Sequence, residues 1–89
     1  MTIKKEVIYL DTNEEVNKKE NAKKPTLEEM QKYVDGWIQP LKVKFDGRIC
    51  TMIVNEEGLI RQLPYNHTAS VISGRCIVGK VIILVGYRL

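Results

Sequence analysis

The chain has 89 residues, 44% of them hydrophobic and 28% charged, and a formal net charge of +3. This composition is that of a globular protein and excludes wholesale disorder. A chain of this length forms a single domain that buries about 60–65% of its unfolded surface, which leaves little interior for a deep active site. No apolar run approaches the ~20 residues of a membrane-spanning helix, and residues 1–6 do not resemble a secretory leader. We therefore expect a cytoplasmic protein with no membrane partner.

The two cysteines, Cys50 and Cys76, are too few for a disulfide scaffold. Each lies among apolar residues, where a free cysteine behaves as a small hydrophobic side chain. We predict two reduced thiols in the core; a disulfide or a reactive pair is the alternative.

The charge is unevenly distributed. Residues 59–89 contain no acid and four cations, namely Arg61, Arg75, Lys80 and Arg88. This pattern favours an anionic partner, although scattered solvated cations would produce it equally well. Four cations are too few for the dense basic stripe of a nucleic-acid-binding surface, so nucleic acid is not an expected partner.

The first half of the chain begins with a predicted strand at residues 3–10. Residues 11–24 are polar and have almost nothing to bury, so we predict a solvated linker. Thr26 and Glu29 fit a capping box that starts a helix, and Gly36 is placed to end it in the left-handed conformation. An apolar stripe at helical spacing is expected to face the core: Leu27, Met30, Val34 and Trp37.

A β-hairpin is predicted next. Residues 38–45 alternate apolar and lysine side chains, and Pro40 indicates that this strand begins at an edge or a bend. Asp46-Gly47 is a strong turn signal. The return strand, 48–55, is apolar on both faces and is expected to be central.

The last third contains three predicted elements. Residues 59–63 are expected to form a short strand or extended segment, and a short helix follows, capped by Asn66 or Thr68 and closed by Gly74. Residues 76–87 are predicted to form a strand that Gly79 interrupts.

Residues 81–85, within that last strand, are apolar on both faces. The strand is therefore either central or packed with one face on another copy, which suggests a homo-oligomer. Together the elements predict a small α+β fold, in which a curved, largely antiparallel sheet packs on one main helix and a short second helix.

Catalytic or metal-binding residues are not evident. His67 is the only histidine; Thr68 and Ser70 are its nearest hydroxyl partners, and no aspartate follows Asp46. One histidine and two separated cysteines do not make a metal site. We predict no enzyme activity, no catalytic residue, no metal and no cofactor.

The most suggestive segment is 61–68, which brings a guanidinium, an aromatic ring, an amide and a hydroxyl to a helix start. Helix-end amides near positive charge can bind anions, and an aromatic ring can stack on a base. The predicted ligand-binding residues are Arg61, Tyr65, Asn66, His67, Thr68 and Arg75. A turn-rich connection that uses asparagine and threonine only as caps is the alternative.

Several short motifs occur in a fixed order: Leu27, Val34-Asp35-Gly36-Trp37-Ile38, Val54-Asn55-Glu56-Glu57-Gly58, Leu63-Pro64-Tyr65-Asn66, Thr68-Ala69 and Ile77-Val78-Gly79-Lys80-Val81. In this order they resemble DUF3846, a family of small proteins of unknown function that is common in bacteriophages and conjugative elements. The most specific part is the Asn-Glu-Glu-Gly turn followed by Asn66; whether this turn is structural or functional stays open. The resemblance spans residues 26–86, so that 1–25, the N-terminal strand and linker, lie outside a DUF3846-like α+β domain of 26–89.

The resemblance implies a phage or mobile-element protein in the host cytoplasm and brings no established activity. Small phage proteins of this kind often inhibit host systems. We therefore expect a non-enzymatic protein that sequesters a small anionic, nucleotide-like ligand. Sequestration of such a ligand would counter host defence signalling. A module that blocks a host protein through a sheet edge or the face of the C-terminal strand is the alternative, and a nucleic-acid binder is a weaker one.

Overall fold

The computed structural model describes residues 5–20 and 23–87. Its elements are, in chain order, β1 (Glu6–Leu10), β2 (Val16–Glu20), α1 (Leu27–Val34), β3 (Ile38–Phe45), β4 (Arg48–Asn55), α2 (His67–Ser73) and β5 (Val81–Val85). The strands form one antiparallel sheet in the order β2-β1-β5-β4-β3. The predicted α+β class is confirmed. Residues 3 and 4 of the first predicted strand, and Arg88, lie outside the described residues.

The segment predicted as a linker contains a strand. β2 pairs with β1 in a hairpin, with Val7 opposite Lys19 and Tyr9 opposite Asn17, and every side chain of β2 is exposed. An ion pair between Lys18 Nζ and Glu6 Oε2, at 2.7 Å, adds a contact across the hairpin. The linker prediction is wrong over β2, because an edge strand whose two faces are both exposed to solvent needs no alternation of apolar and polar residues.

Helix α1 begins as predicted. Thr26 Oγ1 accepts a hydrogen bond from the Glu29 amide at 3.1 Å, and Glu29 Oε1 accepts one from the Thr26 amide at 3.0 Å, which completes the capping box. The helix ends earlier than expected. Asp35, not Gly36, takes the left-handed conformation, with φ of 63° and ψ of 49°.

This early end changes the apolar stripe. Met30 and Val34 are buried, whereas Leu27 and Trp37 are exposed, Trp37 by 65%. The prediction that all four face the core is wrong for Leu27 and Trp37. The helical spacing does not extend to Trp37, because the chain has already left the helix at Asp35.

The sheet has one apolar layer on each face. On the α1 face, Met30 and Val34 pack on the sheet residues Val7, Ile53, Ile82 and Leu84. On the α2 face, Ala69, Ile72 and Ile77 pack on a larger set that includes Ile8, Leu10, Met52, Val54, Ile83 and Val85. Burial of each large side chain contributes about 1.5–3 kcal/mol to folding before the entropy of ordering is subtracted.

Strand β5 lies between β1 and β4, and all its side chains are buried within a single chain. The prediction of a central strand is confirmed. The alternative, in which one face of β5 packs on another copy, is wrong because α1 and α2 cover the two faces. The strand is also shorter than 76–87: Val78 makes only an isolated bridge to Tyr65.

The β3–β4 hairpin is formed as predicted, with the positive φ values of Asp46 (52°) and Gly47 (75°) at its turn. β3 is the second sheet edge, as Pro40 indicated.

The free edge of β3 can be assigned from its hydrogen bonds to β4. The main-chain hydrogen bond from Glu56 N to Trp37 O, 2.8 Å long, extends the β3–β4 register by one pair. Since bonded pairs alternate along an antiparallel ladder, residues 38, 40, 42 and 44 direct their main-chain groups to the free edge. Pro40 removes one of those donors.

The connection 59–63 is a compact turn and not the predicted strand. Its main chain is held by hydrogen bonds from Arg61 N to Glu57 O (2.9 Å) and from Leu63 N to Gly58 O (3.0 Å). Helix α2 then starts at the predicted cap, Asn66, and ends at Gly74 in the left-handed conformation.

Candidate functional site

Asn66, one of the predicted ligand-binding residues, is fully buried. Its Oδ1 accepts from Ala69 N at 3.0 Å, and its Nδ2 donates to Gly79 O at 2.8 Å and to Leu10 O at 3.3 Å. These bonds occupy both amide hydrogens and the oxygen. Asn66 therefore joins the start of α2 to β1 and to the segment before β5, and is not available to a ligand.

Arg61 is also engaged by the fold. Its guanidinium donates to the main-chain oxygen of Asp35 and, through Nη2, to Asp35 Oδ2 at 3.0 Å. The positive charge therefore lies at the C-terminal end of α1, where a cation interacts favourably with the helix dipole.

The remaining predicted residues lie in two places. Tyr65 and His67 are exposed at the start of α2, with ring centroids 6.3 Å apart, and Thr68 beside them is half-buried. Arg75 lies after α2, in a separate groove described below. The structure thus distributes the six residues over three regions. Of the six, only Arg75 lines one of the two grooves described next.

The larger concave surface is a groove of about 930 Å³ between the β1–β2 hairpin and α1. We call it the tyrosine groove. It is lined by Tyr9, Asp11, Glu15, Val16, Asn17, Lys19, Glu29, Lys32, Tyr33 and Lys80. It exists because β2 extends the sheet beyond the width that α1 covers, so that one sheet face is left open beside the helix.

Two tyrosines on different elements line this groove. The rings of Tyr9 on β1 and Tyr33 on α1 meet edge to face, with centroids 4.9 Å apart and planes at 72°. Burial, with a contribution from the Asp11 carboxylate, raises the pKa of Tyr33 to about 12, and burial also raises the pKa of Tyr9. Both phenols are therefore neutral at physiological pH and can donate hydrogen bonds.

Lysine ammonium groups lie over both rings. Lys19 Nζ is 5.5 Å from the centroid of Tyr9, and Lys80 Nζ is 5.5 Å from that of Tyr33, both within cation–π range. Lys80 Nζ is also 3.9 Å from Asp11 Oδ2. With Lys32, the groove carries three cations against the three carboxylates of Asp11, Glu15 and Glu29.

This combination supplies groups that can bind a ligand. Aromatic rings offer stacking surfaces, ammonium groups bind phosphate or carboxylate, and carboxylates accept hydroxyl or amino hydrogens. The lining residues of the tyrosine groove, as far as the chain is described, include no histidine, cysteine or serine. Sequence reasoning missed the groove because its residues come from the β1–β2 hairpin, from α1 and from the residue before β5, and no local motif unites them.

A smaller groove, of about 390 Å³, lies on the α2 face of the sheet. We call it the apolar groove. It is lined by Gln39, Leu41, Val54, Asn55, Glu56, Gly58, Leu59, Ile60, Arg75, Cys76, Ile77 and Val78. Gly58 allows a close approach to Val78, since a Cβ there would lie 2.8 Å from Val78 Cγ2 and the valine side chain would have to move.

The apolar groove also contains an unexpected thiol. Cys76 is exposed, whereas Cys50 is buried and its pKa is raised by burial; both are free thiols. The prediction of a core thiol is confirmed for Cys50 and wrong for Cys76. The apolar residues that follow Cys76, Ile77 and Val78, belong to the connection before β5. In this connection Cys76 is exposed although the next residue, Ile77, is buried.

Neither helix of the described chain is long and apolar enough to cross a membrane. No curated protein and no solved structure matches the chain. A family model does match: that of DUF3846, a domain of unknown function, aligns with residues 3–87. The match includes the N-terminal strand and the segment that contains β2, so the expectation that residues 1–25 lie outside the resemblance is wrong from residue 3 onward. Since nearly the whole sequence is matched, the chain belongs to the DUF3846 family.

Proposed function

We propose that this protein is a non-enzymatic binding protein that sequesters a small anionic, nucleotide-like ligand in the tyrosine groove. The observation that carries the proposal is the Tyr9–Tyr33 pair with the ammonium groups of Lys19 and Lys80 above its rings. The setting proposed with it is the cytoplasm of a host cell in which a phage or mobile element uses the protein against nucleotide defence signals.

The mixed charge of the groove favours a nucleotide over a simple anion. Lys19 and Lys80 would bind phosphate oxygens, and a tyrosine ring would contact the base. The carboxylates of Asp11 and Glu15 would oppose a bare anion, but they would accept hydrogen bonds from ribose hydroxyls or exocyclic amines, as acidic residues do in dinucleotide sites. A ligand that carries a phosphate, a ribose and a base can therefore contact the lysines, the carboxylates and the tyrosine rings together.

Sequestration needs affinity and no chemical step. The volume of about 930 Å³ is within the usual range of small-molecule sites, about 300–1,000 Å³. The neutral phenols of Tyr9 and Tyr33 add hydrogen-bond donors without adding negative charge, which suits a phosphorylated ligand.

A protein-blocking function has less support. The face of β5 expected for it is buried, and the free edge of β3 is interrupted at Pro40. Charged side chains occupy most of β2, the other edge.

The test is the thermal stability of the protein with a panel of cyclic and linear nucleotides. A true ligand at a hundredfold excess over its dissociation constant should stabilise the fold by about 2.7 kcal/mol. Lys19→Ala and Lys80→Ala should each weaken this stabilisation, whereas the matched control Lys42→Ala, an exposed lysine on β3, should not. Ligand recovered intact after denaturation would support holding without turnover.

Three results would contradict the proposal. If no nucleotide shifts the melting temperature, sequestration of this ligand class is wrong. If a nucleotide binds and Arg75→Ala or His67→Ala abolishes binding while Lys19→Ala and Lys80→Ala do not, the site is the one predicted from the sequence and not the tyrosine groove. A steep loss of oligonucleotide binding with rising salt would instead indicate a nucleic-acid binder.

A further inference from the structure

We propose that the apolar groove is an interface for a second copy of this chain, with Ile60 of each copy entering the groove of the other across a two-fold axis. This interface goes beyond the proposed function, because it lies on the α2 face whereas the tyrosine groove lies on the α1 face.

The first argument is the position of two exposed apolar residues. Leu59 and Ile60 stand in the turn after β4, and Ile60 is 83% exposed. The turn is held by main-chain hydrogen bonds on both sides of them, from Arg61 N to Glu57 O and from Leu63 N to Gly58 O. A fixed turn that presents two large aliphatic side chains at the rim of an apolar recess marks an interaction surface.

The second argument is that the same patch holds both a projection and a recess. Ile60 projects, and Leu41, Val54 and Ile77 line the recess beside it. An isologous two-fold interface uses the same patch on both copies, so the projection of each copy can fill the recess of the other.

The third argument is charge complementarity. Glu56 and Arg75 both line the groove, and no ion pair joins them within one copy; neither side chain has a polar partner in residues 5–20 and 23–87. In the proposed dimer, Glu56 of one copy pairs with Arg75 of the other, so that both charges find a partner. A partner with one sign of charge would leave one of the two unpaired, which favours a second copy as the occupant.

Molar mass by light scattering tests the proposal. The wild-type protein should have twice the chain mass at tens of micromolar concentration. Ile60→Glu should be monomeric and should unfold at nearly the wild-type temperature, because the side chain is exposed within one chain. The matched control is Val71→Glu, an exposed apolar position on α2 outside the groove, which should remain dimeric.

The charge pair and the thiol give two further measurements. Glu56→Arg and Arg75→Glu should each raise the dissociation constant at least tenfold, and the double variant should restore it. The labelling rate of Cys76 should fall as the wild-type concentration rises through the dimerisation range, whereas in Ile60→Glu it should not change with concentration.

Several results would overturn the proposal. They are a monodisperse wild-type monomer, an Ile60→Glu variant that stays dimeric, or a Cys76 labelling rate that is constant through dimerisation. A monomer that binds a different protein through Ile60 would assign the groove to a foreign partner and would equally refute a second copy as the occupant.

Discussion

The Asn55 side-chain amide donates a hydrogen bond to the main-chain oxygen of Val34 at 2.9 Å, and so joins the last residue of β4 to the last residue of α1. The same Nδ2 donates to Asp35 O at 3.1 Å, and Oδ1 accepts from Glu57 N at 2.8 Å. Asn55 begins the Asn-Glu-Glu-Gly turn on which the family resemblance rests. With Gly58 packed against Val78, this turn has a structural role.

Asn55→Ala should destabilise the protein by about 1–3 kcal/mol, because it leaves buried main-chain groups of α1 and of the turn without partners. The midpoint of urea unfolding measures this. The control is Asn17→Ala on the exposed strand β2, which should change stability by less than about 0.5 kcal/mol. Equal effects of the two substitutions would contradict the role assigned to Asn55.

Trp37→Ala should have a small effect on the melting temperature, since most of the indole is already in water. Met30→Ala, a buried position on α1, should cost about 2–5 kcal/mol. The tryptophan fluorescence of the native protein should be that of a water-exposed indole and should change little on unfolding. A strong blue shift in the native state would show that Trp37 is covered.

The two thiols should differ sharply in reactivity. At dilute concentration Cys76 should react with a thiol reagent in the native protein, because it is exposed. Cys50 should react only on unfolding, because burial both blocks access and raises the pKa of its thiol. Mass spectrometry should therefore find one label on the native wild type and none on Cys76→Ser; two labels on the native wild type would place Cys50 at the surface.

Alkaline pH should destabilise the protein partly through Tyr33. Its pKa is raised from 10.0 to about 12 by burial, so the folded protein keeps the phenol proton in a range where the unfolded chain releases it. The stabilising contribution of neutral Tyr33 is complete below pH 10 and is lost as the pH rises towards 12. The stability of the wild type should thus fall more steeply across this range than that of Tyr33→Phe, as measured by denaturant midpoints; parallel curves would contradict the raised pKa.

Much of the fold could be predicted because local signals agreed with it. The capping box at Thr26, the Asp46-Gly47 turn and the Asn66 cap each act within a few residues, and each is found as predicted. β2 could not be predicted, since its sequence has no apolar alternation and the strand forms by pairing with β1. Trp37 was misplaced because helical spacing was continued beyond a helix that stops at Asp35.

The candidate site could not be predicted for a different reason. Tyr9 and Tyr33 lie on separate elements and come together only after α1 packs on the sheet. The segment 61–68 looked like a site because polar and aromatic residues are dense there, but Asn66 and Arg61 use their polar atoms to hold the fold. Local polarity does not distinguish a residue that binds a ligand from one that binds the main chain.

The pairing of β1 with β5 has a consequence for biosynthesis. These strands come from opposite ends of the described chain, yet they are neighbours in the interior of the sheet, with Tyr9 opposite Ile82. As the ribosome releases the chain, Ile8 and Leu10 stay without their main partners until β5 has been synthesised. Folding must then close a loop nearly as long as the domain, so we expect the slow, cooperative folding of a high-contact-order protein, in milliseconds to seconds.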